Sequence, residues 1–333
     1  MCSSDLVNGW KSVTFTPTST RLRLSPQIII HGQPVNVSIT VASKGGEPSG
    51  DVALETNTQD PAGEFTLGAN GTIQTTTRLL PGGISGVTAD YFGDGTFARS
   101  DSGLVPVVVL PEPSTTTITL LSLNARQTAF VPFTGGGYGS IVFLRADVAG
   151  RSGFGSATGN VIFTDNGRQV PGNPFKLNSQ GNTITPNSIN TFSVGVHNLR
   201  AFYEGDLSFL PDQATPMSFT ITKGATSTAV ATSSSTAAQG ASVTITATVA
   251  TSSFANPPTG SVKFTAAGVS LGSVPVKGSS DPNSGLASAT ASISTANLPV
   301  GADAITATYS GDHNYTGSNG AGSVTITAPV PSN

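Results

Sequence analysis

One short pattern occurs three times in this chain. It reads Tyr91-Phe92-Gly93-Asp94 with Phe97, Tyr203-Glu204-Gly205-Asp206 with Phe209, and Tyr309-Ser310-Gly311-Asp312 with Tyr315. The copies of Tyr-x-Gly-Asp-x-x-aromatic are spaced by 112 and 106 residues. A period of one domain length means an array of similar units, and 333 residues accommodate three of them. Units of about 100 residues can each bury a core of their own. The expected division is 13–111, 112–223 and 224–333, with residues 1–12 outside the repeat.

The fold class follows from periodicity. Val35, Val37, Ile39 and Val41 alternate with Asn36, Ser38 and Thr40, and Val243, Ile245, Ala247 and Val249 alternate with threonines. That is the period-2 signature of half-buried strands. Further strands are expected at 51–56, 72–79, 104–110, 115–121, 141–148, 159–165, 217–222 and 261–266. Pro106 points to an edge position in its strand. Asp165-Asn166-Gly167 reads as a hairpin corner. Nothing reads as a long helix. About seven short strands per unit, with turns every 8 to 12 residues, predict three tandem immunoglobulin-like antiparallel β-sandwiches.

Composition excludes several functions. Charged residues make up 10% of the chain, the net charge is -3, and no stretch concentrates Lys and Arg, so nucleic acid is not expected as a partner. No apolar run approaches the ~18 residues needed to cross a bilayer. A single cysteine, Cys2, forbids an intrachain disulfide and any cysteine-based metal site. The opening Met1-Cys2-Ser3-Ser4-Asp5-Leu6 resembles a translated sequencing adapter and is left out of fold reasoning.

The repeated motif has a structural explanation. A Tyr at the end of an inward-facing strand, Tyr91, Tyr203 or Tyr309, buries its ring and needs a partner for its hydroxyl. Gly93, Gly205 and Gly311 allow the positive φ that reverses the chain. Asp94, Asp206 and Asp312 can bond their own backbone two residues on. Phe97, Phe209 and Tyr315 then close the core beneath the turn, and losing such a ring costs roughly 3–5 kcal/mol. The alternative role for Asp94, Asp206 and Asp312 is calcium ligation at domain junctions. Calcium wants six to eight oxygens, whereas each motif supplies one carboxylate and its acidic neighbours do not recur in register. No metal or other cofactor is expected.

A Pro-x-Gly-x-Val-x-Phe strand precedes the block Gly-x-x-x-aliphatic-x-Ala-x-Tyr-x-Gly-Asp-x-x-aromatic. In unit three these are Pro258 to Phe264 and Gly301 to Tyr315. Together they resemble the bacterial Ig-like repeat of the group-3 type. Unit two matches from Thr158 to Phe209; unit one departs, with Ala53-Leu54 where the Phe strand should be. The resemblance implies a spacer or stalk, sometimes adhesive, in a secreted or cell-surface bacterial protein, and it brings no catalytic residues. The segment Leu6-Val7-Asn8-Gly9-Trp10 resembles the closing helix of sedolisin-type serine peptidases. That would make the array the accessory tail of a peptidase whose catalytic residues lie elsewhere.

Remaining candidates are weaker. His31, His197 and His313 occupy different places in their units and show no triad spacing; His197 is expected to face solvent. Gly135-Gly136-Gly137 lacks the Lys and helix of a phosphate loop and is expected to belong to a flexible insertion, Thr134 to Gly139, peculiar to unit two. Phe130, Phe133 and Tyr138 around it form the one candidate aromatic surface for a sugar, although packing onto their own sandwich is the stronger expectation. Three Asn-x-Ser/Thr sequons, at Asn36, Asn70 and Asn314, are expected by chance in so Thr-rich a chain. The expected partners are other domains of the same parent chain and cell-surface glycans or proteins. A monomer is expected, and the Pro111-Glu112-Pro113 linker is expected to be stiffer than Lys223-Gly224.

Overall fold

The computed structural model describes residues 14–329. The adapter-like opening and the Trp10 segment lie outside the described residues. Every regular element is a strand, and the strands form six sheets that associate in three pairs. In the first unit one sheet holds Ser19–Ser25, Val35–Ala42 and Thr72–Thr77. The facing sheet runs in the order Ile28–Ile30, Val105–Leu110, Gly83–Tyr91, Asp51–Thr56, Pro61–Thr66. Both later units repeat this plan, and each sheet draws its strands from one unit. Alternating residues set the core. Val35, Val37, Ile39 and Val41 face Val52, Leu54, Val87 and Val107, all buried.

Each unit has a short edge strand that periodicity did not reveal. Ile28–Ile30 runs parallel to the unit's last strand, pairing Ile28 with Val108 and Ile30 with Leu110. Gly136–Gly137 does the same against Ile221 and Thr222, and Thr236–Ala238 against Thr325 to Thr327. The glycine-rich stretch is therefore not peculiar to unit two; it occupies an edge position that all three units share. What unit two adds is the strand Phe130–Pro132, which hairpins onto Leu121 to Leu123. The three aromatics do not form one exposed surface. Phe133 packs edge-on against Phe219, Tyr138 is buried, and Phe130 alone is exposed, resting on Phe143.

Pro106 lies on an interior strand. It pairs with Gly86 on one side, and on the other the edge strand stops at the level of Val108, so no ladder bond is lost. Asn166 and Gly167 adopt φ of 47° and 81° between the paired residues Asp165 and Arg168, the two-residue hairpin expected from the sequence.

His197 does not face solvent. It is 2% exposed, stacks on Phe219, and its Nδ1 lies 2.7 Å from Asp165 Oδ2 while Nε2 lies 2.7 Å from the Ser193 carbonyl. Neighbouring residues in sequence misled because Val196 and Asn198 point outward while His197 occupies the inward position of its strand. The equivalent strand positions hold Ser85 and Asp303, so each unit buries one polar side chain there. Replacing His197 with Leu strips a largely buried Asp165 of its partner. His197→Leu is expected to lower stability by roughly 2–3 kcal/mol in urea titration.

Candidate functional site

The three Tyr-x-Gly-Asp corners have one geometry. Asp94 Oδ1 accepts the backbone N–H groups of Thr96 and Phe97 at 2.7 and 2.8 Å. Its Oδ2 accepts the Ser49 hydroxyl at 2.7 Å and the Ser49 N–H at 3.2 Å. Asp206 takes the same four donors from Ser208, Phe209 and Thr158. Asp312 takes them from Asn314, Tyr315 and Thr259. The clasp therefore joins two loops that are distant in sequence. The Asx turn is the local half that the motif foretold. The Ser/Thr before a glycine is the half it did not: Ser49-Gly50, Thr158-Gly159 and Thr259-Gly260 recur in register, yet nothing in the sequence links them to the aspartates.

The glycines and tyrosines close the corner. Gly93, Gly205 and Gly311 have φ of 81°, 84° and 70°, and a Cβ on any of them would collide with the loop. Tyr91 and Tyr309 donate their hydroxyls to the carbonyls of Ser49 and Thr259, each at 2.7 Å. Tyr203 Oη is buried without a partner. Burial and the nearby Asp206 and Asp312 carboxylates push the Tyr203 and Tyr309 phenols well above their ordinary range.

The carboxylates are shifted the other way. Asp94 is held well below the ordinary carboxylate range by the Thr96 and Phe97 N–H groups and by Ser49. Burial would raise Asp206 and Asp312, but their hydroxyl and N–H donors outweigh it and bring both below the usual value. With four donors on each carboxylate, a calcium ion would have to displace bonds already made. Among the described residues no group of three or more His, Cys, Asp or Glu side chains is placed to hold a metal ion.

Each corner also grips the chain entering its own unit. Thr16, Glu112 and Gly224 form parallel bridges to Phe97, Phe209 and Tyr315. This places the corner at the leading pole of its unit and, in units two and three, against the unit before it. His31 directly follows the edge strand of unit one, and its ring meets Phe209 edge-on at 4.9 Å. Tyr138, the equivalent residue of unit two, meets Tyr315 edge-on at 5.4 Å. Gly32 and Gly139 come next, and a Cβ on either would strike the side chain of Ser152 or Ser253 in the following unit. Both junctions are thus one construction: a ring and a glycine from one unit against an aromatic and a serine of the next.

The first junction carries a polar core. Glu112 is buried in the linker, 2.8 Å from His31 Nδ1, and it accepts the Ser152 N–H and hydroxyl at 2.6 and 2.7 Å. Burial opposes its ionisation, but Ser152 and His31 outweigh that and hold its pKa below the ordinary value. Arg78 lies over Phe154 and donates to the Gly32 carbonyl. The second junction is built on an aromatic contact in place of a buried carboxylate. Tyr138 and Tyr315 join the cores of units two and three into one cluster, and Asn190 donates to the Phe254 carbonyl across it. Side chains of both neighbouring units, in addition to the linker, meet at each junction.

The family model for the bacterial Ig-like domain (group 3) matches residues 22–110 and 230–328. The chain belongs to this family. Solved structures similar to it include the adhesin FdeC of Escherichia coli, at 13% identity over 92% of this chain and 96% of that one, with a TM-score of 0.32. Another is a tetra-tandem repeat from the extending region of a large adhesion protein, at 14% identity over 93% and 74%, with a TM-score of 0.33. A third is latent PorU of Porphyromonas gingivalis, at 12% identity and a TM-score of 0.26, where 94% of this chain covers 34% of that one. No curated protein matches the sequence.

Two outcomes follow from the corner chemistry. Tyr309→Phe is expected to cost about 1 kcal/mol, the worth of a buried hydrogen bond. Tyr203→Phe is expected to cost less than Tyr309→Phe, because Tyr203 Oη lacks the bond to the loop carbonyl that Tyr309 makes; urea melts of both variants check this. The second concerns acid. Carboxylates lowered in the folded state add stability that is complete above the unfolded value of about 4 and is lost as pH falls through the folded value. Thermal stability should therefore hold from neutrality to about pH 5 and drop below about pH 4, and Asp206→Asn should flatten that drop.

Proposed function

We propose that this chain is a non-catalytic spacer, a run of Ig-like domains that holds other parts of a secreted or cell-surface bacterial protein at a set distance. The single observation that carries the reading is the repeated junction. A chain meant only to tether its units would not bury His31, Glu112, Tyr138 and Tyr315 between them. Membership of a family of tandem repeats supports the same reading. So does the surface: a groove between Pro171 and Thr191 of unit two is open and has Lys176 as its only charged lining residue. No helix among the described residues is long and apolar enough to cross a membrane.

Small-angle scattering tests the spacer role. The wild-type chain should scatter as a single stiff rod, with a sharply bounded maximum dimension. Tyr138→Ala together with Glu112→Ala should broaden the distance distribution while each unit stays folded. A wild-type chain that already scatters as freely jointed units would refute the spacer.

A further inference from the structure

The outer face of the second sheet differs between units in a way the fold does not require. In unit one Ile28, Val108 and Ile84 form one cross-strand row, with Ile30 and Leu110 in the next. Ile84 is 81% exposed and Ile28 67%. The matching row is Thr236, Thr325 and Ala302 in unit three, with Ala238 and Thr327 beside it. In unit two the corresponding pairs are Thr220 with Val196 and Gly137 with Thr222. Identical backbone positions thus carry an exposed aliphatic patch in unit one and small or polar residues in unit three. Such patches on a protein surface mark interaction sites. Leu207 of unit two, itself exposed, sits against Gly82 and Gly83 and extends the patch over the first junction.

Charge tells what covers it. Beyond the aliphatic rows the same sheet of unit one turns acidic: Asp90 pairs with Asp101 on one side and with Ala53 on the other, Ala53 pairs with Glu64, and Glu55 lies opposite Thr88. Arg99 is the nearby cation, 3.8 Å from Asp101. The corresponding face of unit two is more basic, although Glu204, which accepts a hydrogen bond from Asn160, also lies on it. Arg200 pairs with Thr164 and Lys176 with Asn160, beside Phe202, which is half-exposed and pairs with Ile162.

We propose that two copies of this chain pair side by side, running in opposite directions, about the aliphatic patch at the first junction. The patch then meets its own copy, and each first unit lies along the partner's second unit. Acidic and aliphatic residues of the one face basic and aromatic residues of the other. The arrangement is closed and isologous, so it stops at a dimer.

Sedimentation of the full chain over a range of concentrations tests this. The expected result is a monomer–dimer equilibrium with Kd of about 1–100 µM, weakened by added salt. Ile84→Lys should weaken it at least tenfold with unchanged melting, since Ile84 is exposed. Ala302→Lys, at the matching position of unit three, should leave it unchanged. Arg200→Glu and Asp101→Lys should each weaken it by severalfold. A monomer at every concentration up to about 1 mM overturns the proposal. So does a dimer indifferent to Ile84→Lys, which would have its interface elsewhere. A dimer sensitive to Ile84→Lys but indifferent to salt and to both charge reversals overturns the antiparallel arrangement.

Discussion

Four hydrogen bonds to one carboxylate organise each unit. Asp94, Asp206 and Asp312 each tie the turn that follows to the loop holding Ser49, Thr158 or Thr259. Without the carboxylate, two N–H groups in the turn and an N–H and a hydroxyl in the other loop lose their acceptor together. An ionised acceptor makes stronger bonds than a neutral one, so the clasp works best with the Asp charged. Everything else in the corner depends on it: the left-handed glycine, the inward Tyr, and the aromatic that seals the core.

The position of the clasp gives it a second consequence. Because the sealing aromatic also bridges to the incoming chain, the residue that closes one core is the one that receives the preceding unit. Phe209 and Tyr315 each have one side in their own sandwich and an edge against His31 or Tyr138. Stability within a unit and alignment between units thus use the same ring. Repeat proteins gain rigidity when neighbouring units share an interface in this way, since each unit orders the next.

The sandwiches themselves were legible in the sequence because alternation is a local signal. Val35 to Val41 and Val243 to Val249 announce their buried faces residue by residue, and Asn166-Gly167 announces its hairpin. The family resemblance was legible in the Tyr, Gly and Asp of each corner. The junction was not, because its residues carry no period. His31 and Tyr138 are equivalent only through backbone register, Ile30 to Leu110 and Gly137 to Thr222, and short edge strands of two or three residues leave no hydrophobic pattern. The His31-Gly32, Tyr138-Gly139 and Gln239-Gly240 pairs are the trace that existed: a residue and a glycine at the same place in every unit. His197 failed for a related reason. Ser85, His197 and Asp303 share a position and a buried polar character but not a residue type, so the sequence hides the equivalence.

The central claim is that the Asp clasp of one unit holds that unit to the one before it. The most direct test is a pair of spin labels across the first junction and a second pair across the second, measured in the wild-type chain and in Asp206→Ala. The account predicts that Asp206→Ala broadens the distance distribution across the first junction, where Phe209 meets His31, and leaves the second distribution narrow. If the first distribution stays as narrow as in the wild type, the corner serves only its own sandwich and the link between clasp and junction is wrong.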